Sequence, residues 1–161
     1  MTRFAPLLVV LSLLVPALGH AQVAVTANAD HEAMLRHPDP KLAANKRFVY
    51  DFWREVFEAA QMDLAQKYLA EGYIQHNPRV PTGRQAFIDF FSKVRKPAPI
   101  EPRVKAPLVA ILADGDLVTL VFARELAESA DPSRKYTTTW FDMFRIADGR
   151  IAEHWDPATK P

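Results

Sequence analysis

The chain has 161 residues, 49% of them apolar, with 20 Lys or Arg against 19 Asp or Glu and no cysteine. That length favours one domain with enough chain to bury a sizeable core. A net charge of +1 lacks the basic excess of a nucleic-acid binder. The missing cysteines exclude disulfides, thiolate metal sites and cysteine nucleophiles.

Met1 to Ala21 reads as a secretory signal peptide. Arg3 supplies a short positive region, and Leu7 to Val15 is apolar except for Ser12. Pro16 breaks that run, and Gly19 and Ala21 place small residues before a cleavage point at Gln22. The run falls well short of the ~20 apolar residues a spanning helix needs. Cleavage after Ala21 takes one arginine and no acid, so the mature chain is neutral. The expected location is the periplasm, with no membrane contact after cleavage.

Residues 22–40 are weakly patterned and read as a flexible leader, closing on His37-Pro38-Asp39-Pro40. His31 and His37 sit in it and receive no role. Asp39 followed by Pro40 is a helix start. Lys41 to Ala60 is the clearest helix, with Val49, Phe52, Trp53, Val56 and Ala60 on one face. Asp63 to Ala70 reads as a second helix stopped by Gly72. Tyr73 to Pro78 leads into a turn. Gly83 to Val94 is a third helix carrying Phe87, Phe90 and Phe91, and the prolines between Lys96 and Pro107 mark a connector. The helical aromatics are assigned to the core.

Four β-rich segments follow: Leu108–Leu112, Leu117–Leu126, Tyr136–Ile146 and Ile151–Trp155. Ala113-Asp114-Gly115 and Ala147-Asp148-Gly149 are hairpin turns, and Glu128–Arg134 is a longer loop. Helices followed by consecutive antiparallel strands define an α+β domain over 41–157, with helices packed on one face of a sheet and a short tail at 158–161.

The last hairpin concentrates the polar candidates. A two-residue Asp-Gly turn places Asp142 opposite Trp155. A three-residue turn pairs Ile146 with Arg150, Asp142 with His154, and Trp140 with Asp156. The second is favoured because it needs only one positive φ, which Gly149 supplies. Trp140, Asp142, Phe144, Ala152, His154 and Asp156 then share one apolar face. Polar groups on such a face must pair internally or open onto a cavity. The trio Asp142, His154 and Asp156 is either a functional site or a structural Asp–His pair with a turn-capping Asp. His76 is a second candidate, with a surface turn residue as its plainer reading. The histidines lack metal-ligand spacing, so no metal is expected, and there is no nucleophile elbow or phosphate loop.

Tyr73-Ile74-Gln75-His76-Asn77-Pro78, Gly83-Arg84-Gln85-Ala86-Phe87 and the run Phe141 to Asp156 resemble the SnoaL-like polyketide cyclases of the nuclear transport factor 2-like superfamily. The resemblance runs from about Lys41 to Asp156. It implies a cone-shaped fold, with three N-terminal helices on a strongly curved mixed sheet that encloses a pocket. It also implies cofactor-free acid–base chemistry, aldol-type cyclisation or isomerisation, beside the carbonyl of a small apolar compound. In those cyclases the acid–base carboxylate falls at Asp156. Their histidine at the position of Asp142 is absent here, which leaves His154 to supply the imidazole, oriented by Asp142. His76, Asn77, Tyr73, Trp140 and Phe144 are the expected ligand contacts. Phe141, Met143 and Trp155 on the outer sheet face, together with the superfamily's habit, imply a homodimer. The rival class is a non-catalytic periplasmic ligand-binding or scaffold protein.

A reporter fused to residues 1–24 is expected to reach the periplasm with its new N-terminus at Gln22; retention of Met1 in the exported product would refute the signal peptide.

Overall fold

A computed structural model describes residues 22–160. The segment read as a signal peptide lies outside the described residues. Among those described, no helix is long and apolar enough to cross a membrane.

The segment read as a flexible leader is tied to the domain. Val25 N–H donates to Thr137 Oγ1 at 2.8 Å and Asn28 N–H to Leu108 O at 2.8 Å. A short helix, α1 (His31–Leu35), follows, capped by the Asp30 side chain. The buried Lys46 ammonium ties α1 to the next helix through the Met34 and Arg36 carbonyls. Weak local patterning hid this segment, because its order comes from contacts with distant strands.

Helix α2 (Pro40–Phe52) begins where expected: the Asp39 carboxylate accepts from Lys41 N–H at 2.7 Å and Pro40 occupies the first turn. The helix then widens into a π-helical segment, Trp53–Glu58, and ends at Ala60 with φ of 53°. All five residues of the predicted face are buried. The widening has a visible anchor. The Glu58 carboxylate accepts from Trp53 Nε1, Lys105 N and Ala106 N, which fastens the proline-rich connector to this segment.

The predicted second helix is shorter than the sequence suggests. A 3₁₀ turn (Met62–Leu64) and α3 (Ala65–Tyr68) give way at Leu69 to a strand, β1 (Leu69–Gln75). Gly72 therefore lies inside a strand and stops no helix. The strand depends on parallel pairing with a segment near the C-terminus, and no local signal carries that pairing. Helix α4 (Arg84–Val94) starts at Gly83, whose φ of 104° suits glycine and whose N–H donates to Tyr73 O.

The remaining strands are β2 (Leu108–Asp114), β3 (Leu117–Ala127), β4 (Lys135–Ala147) and β5 (Arg150–Trp155). They form one mixed sheet of order β1-β5-β4-β3-β2, parallel only at β1–β5. The helices cover one face, so the fold is α+β as expected. Phe52 illustrates the layer contact, packing its ring on Phe144 from β4 and Phe87 from α4.

The β4–β5 turn corrects the expected register. Ala147 pairs with Arg150, and both Asp148 (φ 50°) and Gly149 (φ 69°) are left-handed. The loop thus has two residues, because aspartate tolerates the second positive φ. Ala152 is then an unpaired bulge between the Ile146–Ile151 and Arg145–Glu153 pairs. Beyond the bulge Phe144 faces His154, the partner the three-residue turn assigned to Asp142. The bulge restores the alternation, so Trp140, Asp142, Phe144, His154 and Asp156 still line one cavity.

Candidate active site

Between the helices and the sheet lies a cavity of about 530 Å³. Its walls are largely aromatic. Phe52, Trp53 and Phe57 come from α2 and its π-helical extension, Phe87 and Phe91 from α4, and Phe122, Trp140 and Phe144 from the sheet. The helical aromatics assigned to the core thus also form the cavity lining. The widened turn brings Trp53 and Phe57 together at 4.2 Å and stacks Trp53 on Phe122 at 4.7 Å. π-helical turns often occur at functional sites for this reason: they re-aim side chains that a regular helix would turn away.

The polar groups cluster against the sheet. His154 Nε2 lies 3.0 Å from Asp142 Oδ1, a diagonal contact across the strand pair. His154 Nδ1 lies 2.7 Å from Gln75 Oε1. The Asn77 N–H donates to that same Gln75 oxygen, and Gln75 Nε2 donates to the Tyr73 hydroxyl at 3.0 Å. This network assigns the amide orientation and makes His154 Nδ1 a donor. A neutral imidazole has only one donor, so the contact with Asp142 requires a second proton, on Nε2 or on the carboxyl. The pair therefore holds one shared proton and no net charge.

Burial is nearly complete for both partners, at 4% exposure for Asp142 and 6% for His154. Asp142 Oδ2 is buried without a hydrogen-bond partner among the described residues. Desolvation raises the Asp142 carboxyl above the ordinary carboxylate range, and the His154 hydrogen bond opposes it only in part. The Tyr73 phenol is pushed up by burial and then by the charges of Asp142 and Asp156, so it stays neutral with a hydroxyl proton to give.

Asp156 differs from Asp142. Its Oδ2 accepts from Asn77 Nδ2 at 2.7 Å and its Oδ1 from Ala158 N at 2.9 Å. Accepting at both oxygens is the pattern of a carboxylate. One ligating atom each from Asp142, His154 and Asp156 lie within 4.8 Å of one another. This is the one such cluster among the described residues, and the shared proton of the Asp142–His154 pair competes with any cation for the same atoms.

Of the expected ligand contacts, Tyr73, Asn77, Trp140 and Phe144 line the cavity, and His76 does not. His76 lies outside, hydrogen-bonded to Glu153 at 2.9 Å and stacked on Trp155 at 5.0 Å. The reason is β1. Tyr73, Gln75 and the following Asn77 face the cavity, while Ile74 and His76 point away. Reading Tyr73 to Asn77 with a period of two would have found Gln75 and set His76 aside. Arg79 and Arg124 also line the cavity; sequence reasoning missed both, since neither stands in a polar motif.

The two-layer α+β fold, with a mixed sheet beside an aromatic cavity, has the architecture that the resemblance implied. The family model described as "SnoaL-like domain" matches residues 49–154, and the chain belongs to that family. Among solved structures, a protein described as a SnoaL-like polyketide cyclase of Jannaschia sp. CCS1 is similar at 19% identity and a TM-score of 0.52, covering 76% of this chain and 91% of that one. One described as a polyketide cyclase of Acidithiobacillus ferrooxidans gives 16%, 0.50, 75% and 89%. An LEH-like epoxide hydrolase of M. tuberculosis gives 17%, 0.51, 73% and 80%. At these identities the likeness concerns the fold. A search of curated proteins finds no match.

The raised Asp142 carboxyl sets a pH dependence. Asp142 holds its proton more readily folded than unfolded. Its stabilising contribution is therefore full below the unfolded value of about 4 and is lost as pH rises through the folded value. In Asp142→Asn the amide does not titrate, and its NH₂ can donate to Nε2. The melting temperature of this variant relative to the native chain is expected to rise from about pH 4 to about pH 8. Thermal melts giving a constant difference across that range would contradict the shared-proton pair.

Proposed function

We propose that this protein is a cofactor-free acid–base enzyme that moves a proton at a carbon next to a carbonyl, in an aldol-type cyclisation or an isomerisation of a small apolar compound. One observation carries the reading: an ionised carboxylate, Asp156, stands beside a proton-holding pair, Asp142–His154, within an aromatic cavity. A base and an acid in one aromatic cavity are what enolisation and its reversal require.

Asp156 is the base that takes the α-proton, with Asn77 and the Ala158 N–H fixing its orientation. Tyr73 donates to the carbonyl oxygen as negative charge develops there, since its hydroxyl proton is unspent on Gln75. Asp156 then returns the α-proton to carbon or oxygen, which restores its carboxylate, and the Asp142–His154 pair, with both ring nitrogens engaged, polarises the site without giving up its own proton. Gln75 locks the imidazole orientation through Nδ1. Trp140 and Phe144 hold the apolar body of the substrate. The likeness to proteins described as polyketide cyclases agrees with this reading, and the substrate itself is a proposal.

We also infer export through the segment 1–21, and a homodimer formed through the outer sheet face. There Phe141 is 46% exposed and Trp155 lies between the His76 ring and the Arg145 guanidinium. Light scattering at micromolar concentration is expected to give twice the chain mass; the chain mass alone would refute the dimer.

Proton abstraction is testable without the natural substrate. Exchange of the α-hydrogens of 2-tetralone in D₂O, followed by NMR, is expected to be accelerated by the native chain. Asp156→Asn should slow it by roughly two orders of magnitude while keeping a cooperative melt. A folded variant that exchanges as fast as the native chain would remove Asp156 as the base, and a native chain without acceleration would leave only ligand binding.

A further inference from the structure

Two arginines stand on the lip of the cavity, and neither has a carboxylate partner among the described residues. Arg79 follows the Asn77-Pro78 turn. Its backbone N–H donates to Asn77 Oδ1 at 2.9 Å and its Nε to Thr159 O at 2.8 Å, which fixes the side chain but leaves the terminal nitrogens without acceptors among the described residues. The Arg124 guanidinium lies 4.5 Å over the Trp140 ring and makes no ion pair among the described residues. Arg47, Arg54, Arg134 and Arg145 hold acidic partners, and Arg84, Arg95, Arg103 and Arg150 are spent on backbone carbonyls. Asp156 shares the cavity with both lip arginines, yet its oxygens are given to Asn77 and Ala158.

The register places both cations at one end. Arg124 pairs with Thr138, four residues along β3 from the Leu120–Asp142 pair. Its guanidinium reaches back over Trp140, two residues from Asp142 on β4. The chain leaves β5 antiparallel to β4, hence toward Trp140 and Arg124, and Thr159 on that stretch holds Arg79. The charges lining the cavity do not cancel. The Asp142–His154 pair is neutral with its shared proton, Asp156 carries one negative charge, and the arginines carry two positive charges. A bound anion would balance the site.

We propose that Arg79 and Arg124 form a carboxylate subsite, and that the substrate is an apolar carbonyl compound bearing a carboxylate at the end remote from its reacting carbon. The inference rests on the acid–base reading only for the position of that carbon. Guanidinium groups pair with carboxylates through two parallel hydrogen bonds, and held side chains lose little entropy in doing so. The aromatic walls take the body, and the lip selects the end group.

Calorimetric titration of the full chain with 1-naphthaleneacetate and with its methyl ester tests this directly. The acid is expected to bind at least about tenfold more tightly than the ester, since charged hydrogen bonds are at stake. Arg79→Gln and Arg124→Gln should each remove most of that ratio while leaving ester affinity unchanged, and Arg124→Lys should keep part of it. Equal binding of acid and ester, no binding of the acid, or variants that weaken both alike would overturn the subsite. The outcome is separable from the acid–base reading. A chain that selects the acid but fails to exchange α-hydrogens loses only its catalytic assignment. One that exchanges them without selecting the acid loses only this subsite.

Discussion

A carboxyl and an imidazole buried side by side can neither both give up their protons nor both keep them without leaving a bare charge under aromatic walls. The Asp142–His154 pair resolves this by holding one proton between Oδ1 and Nε2, and much of the site depends on that constraint. It requires an acceptor at Nδ1, which is why Gln75 sits where it does. It keeps the pair neutral, so that the pair can stand beside the charged Asp156. It also leaves Asp142 Oδ2 buried without a hydrogen-bond partner among the described residues. An unsatisfied atom of this kind costs stability.

Two backbone irregularities build the cavity around this pair. The bulge at Ala152 shifts β5 by one residue, so that His154 and Asp156 come onto the face of Asp142 and Phe144. The π-helical segment from Trp53 to Glu58 re-aims Trp53 and Phe57 into the same space. Each interrupts a regular hydrogen-bond ladder, and each is secured by tertiary contacts. Glu58 grips the connector at Lys105 and Ala106, and the parallel strand β1 runs along β5. Regular elements would have packed this interior solid.

The cavity has a graded chemistry. Its inner end gathers two carboxyl groups, an imidazole and a neutral phenol. Its middle is aromatic, and its lip is cationic. On the proposed reading this gradient would orient a guest before any chemistry occurs, because an apolar body avoids the lip while an anionic end is drawn to it. Remote binding of that sort is how small sites position a reacting carbon.

The sequence alone determined the elements whose signals are local. Asp39-Pro40 starts α2, its apolar face reads at helical spacing, and the four later strands show β-branched and aromatic runs with Asp-Gly turns. Together these decide the α+β class. The grouping of Trp140, Asp142, Phe144, His154 and Asp156 on one face was also legible, since alternation survives a register change of two residues. Tertiary structure decided the rest. Strand β1 exists through its pairing with β5 about eighty residues away, so the local reading ran the helix to Ala70, took Tyr73 to Pro78 as the approach to a turn, and set His76 on the wrong side. Aspartate's tolerance of a positive φ chose the two-residue turn, and the bulge that compensates for it is visible only once both strands are laid together. Whether a phenylalanine packs in a solid core or lines a cavity depends on what stands opposite. Helical spacing reports the face a side chain occupies and carries no information about the space beyond it.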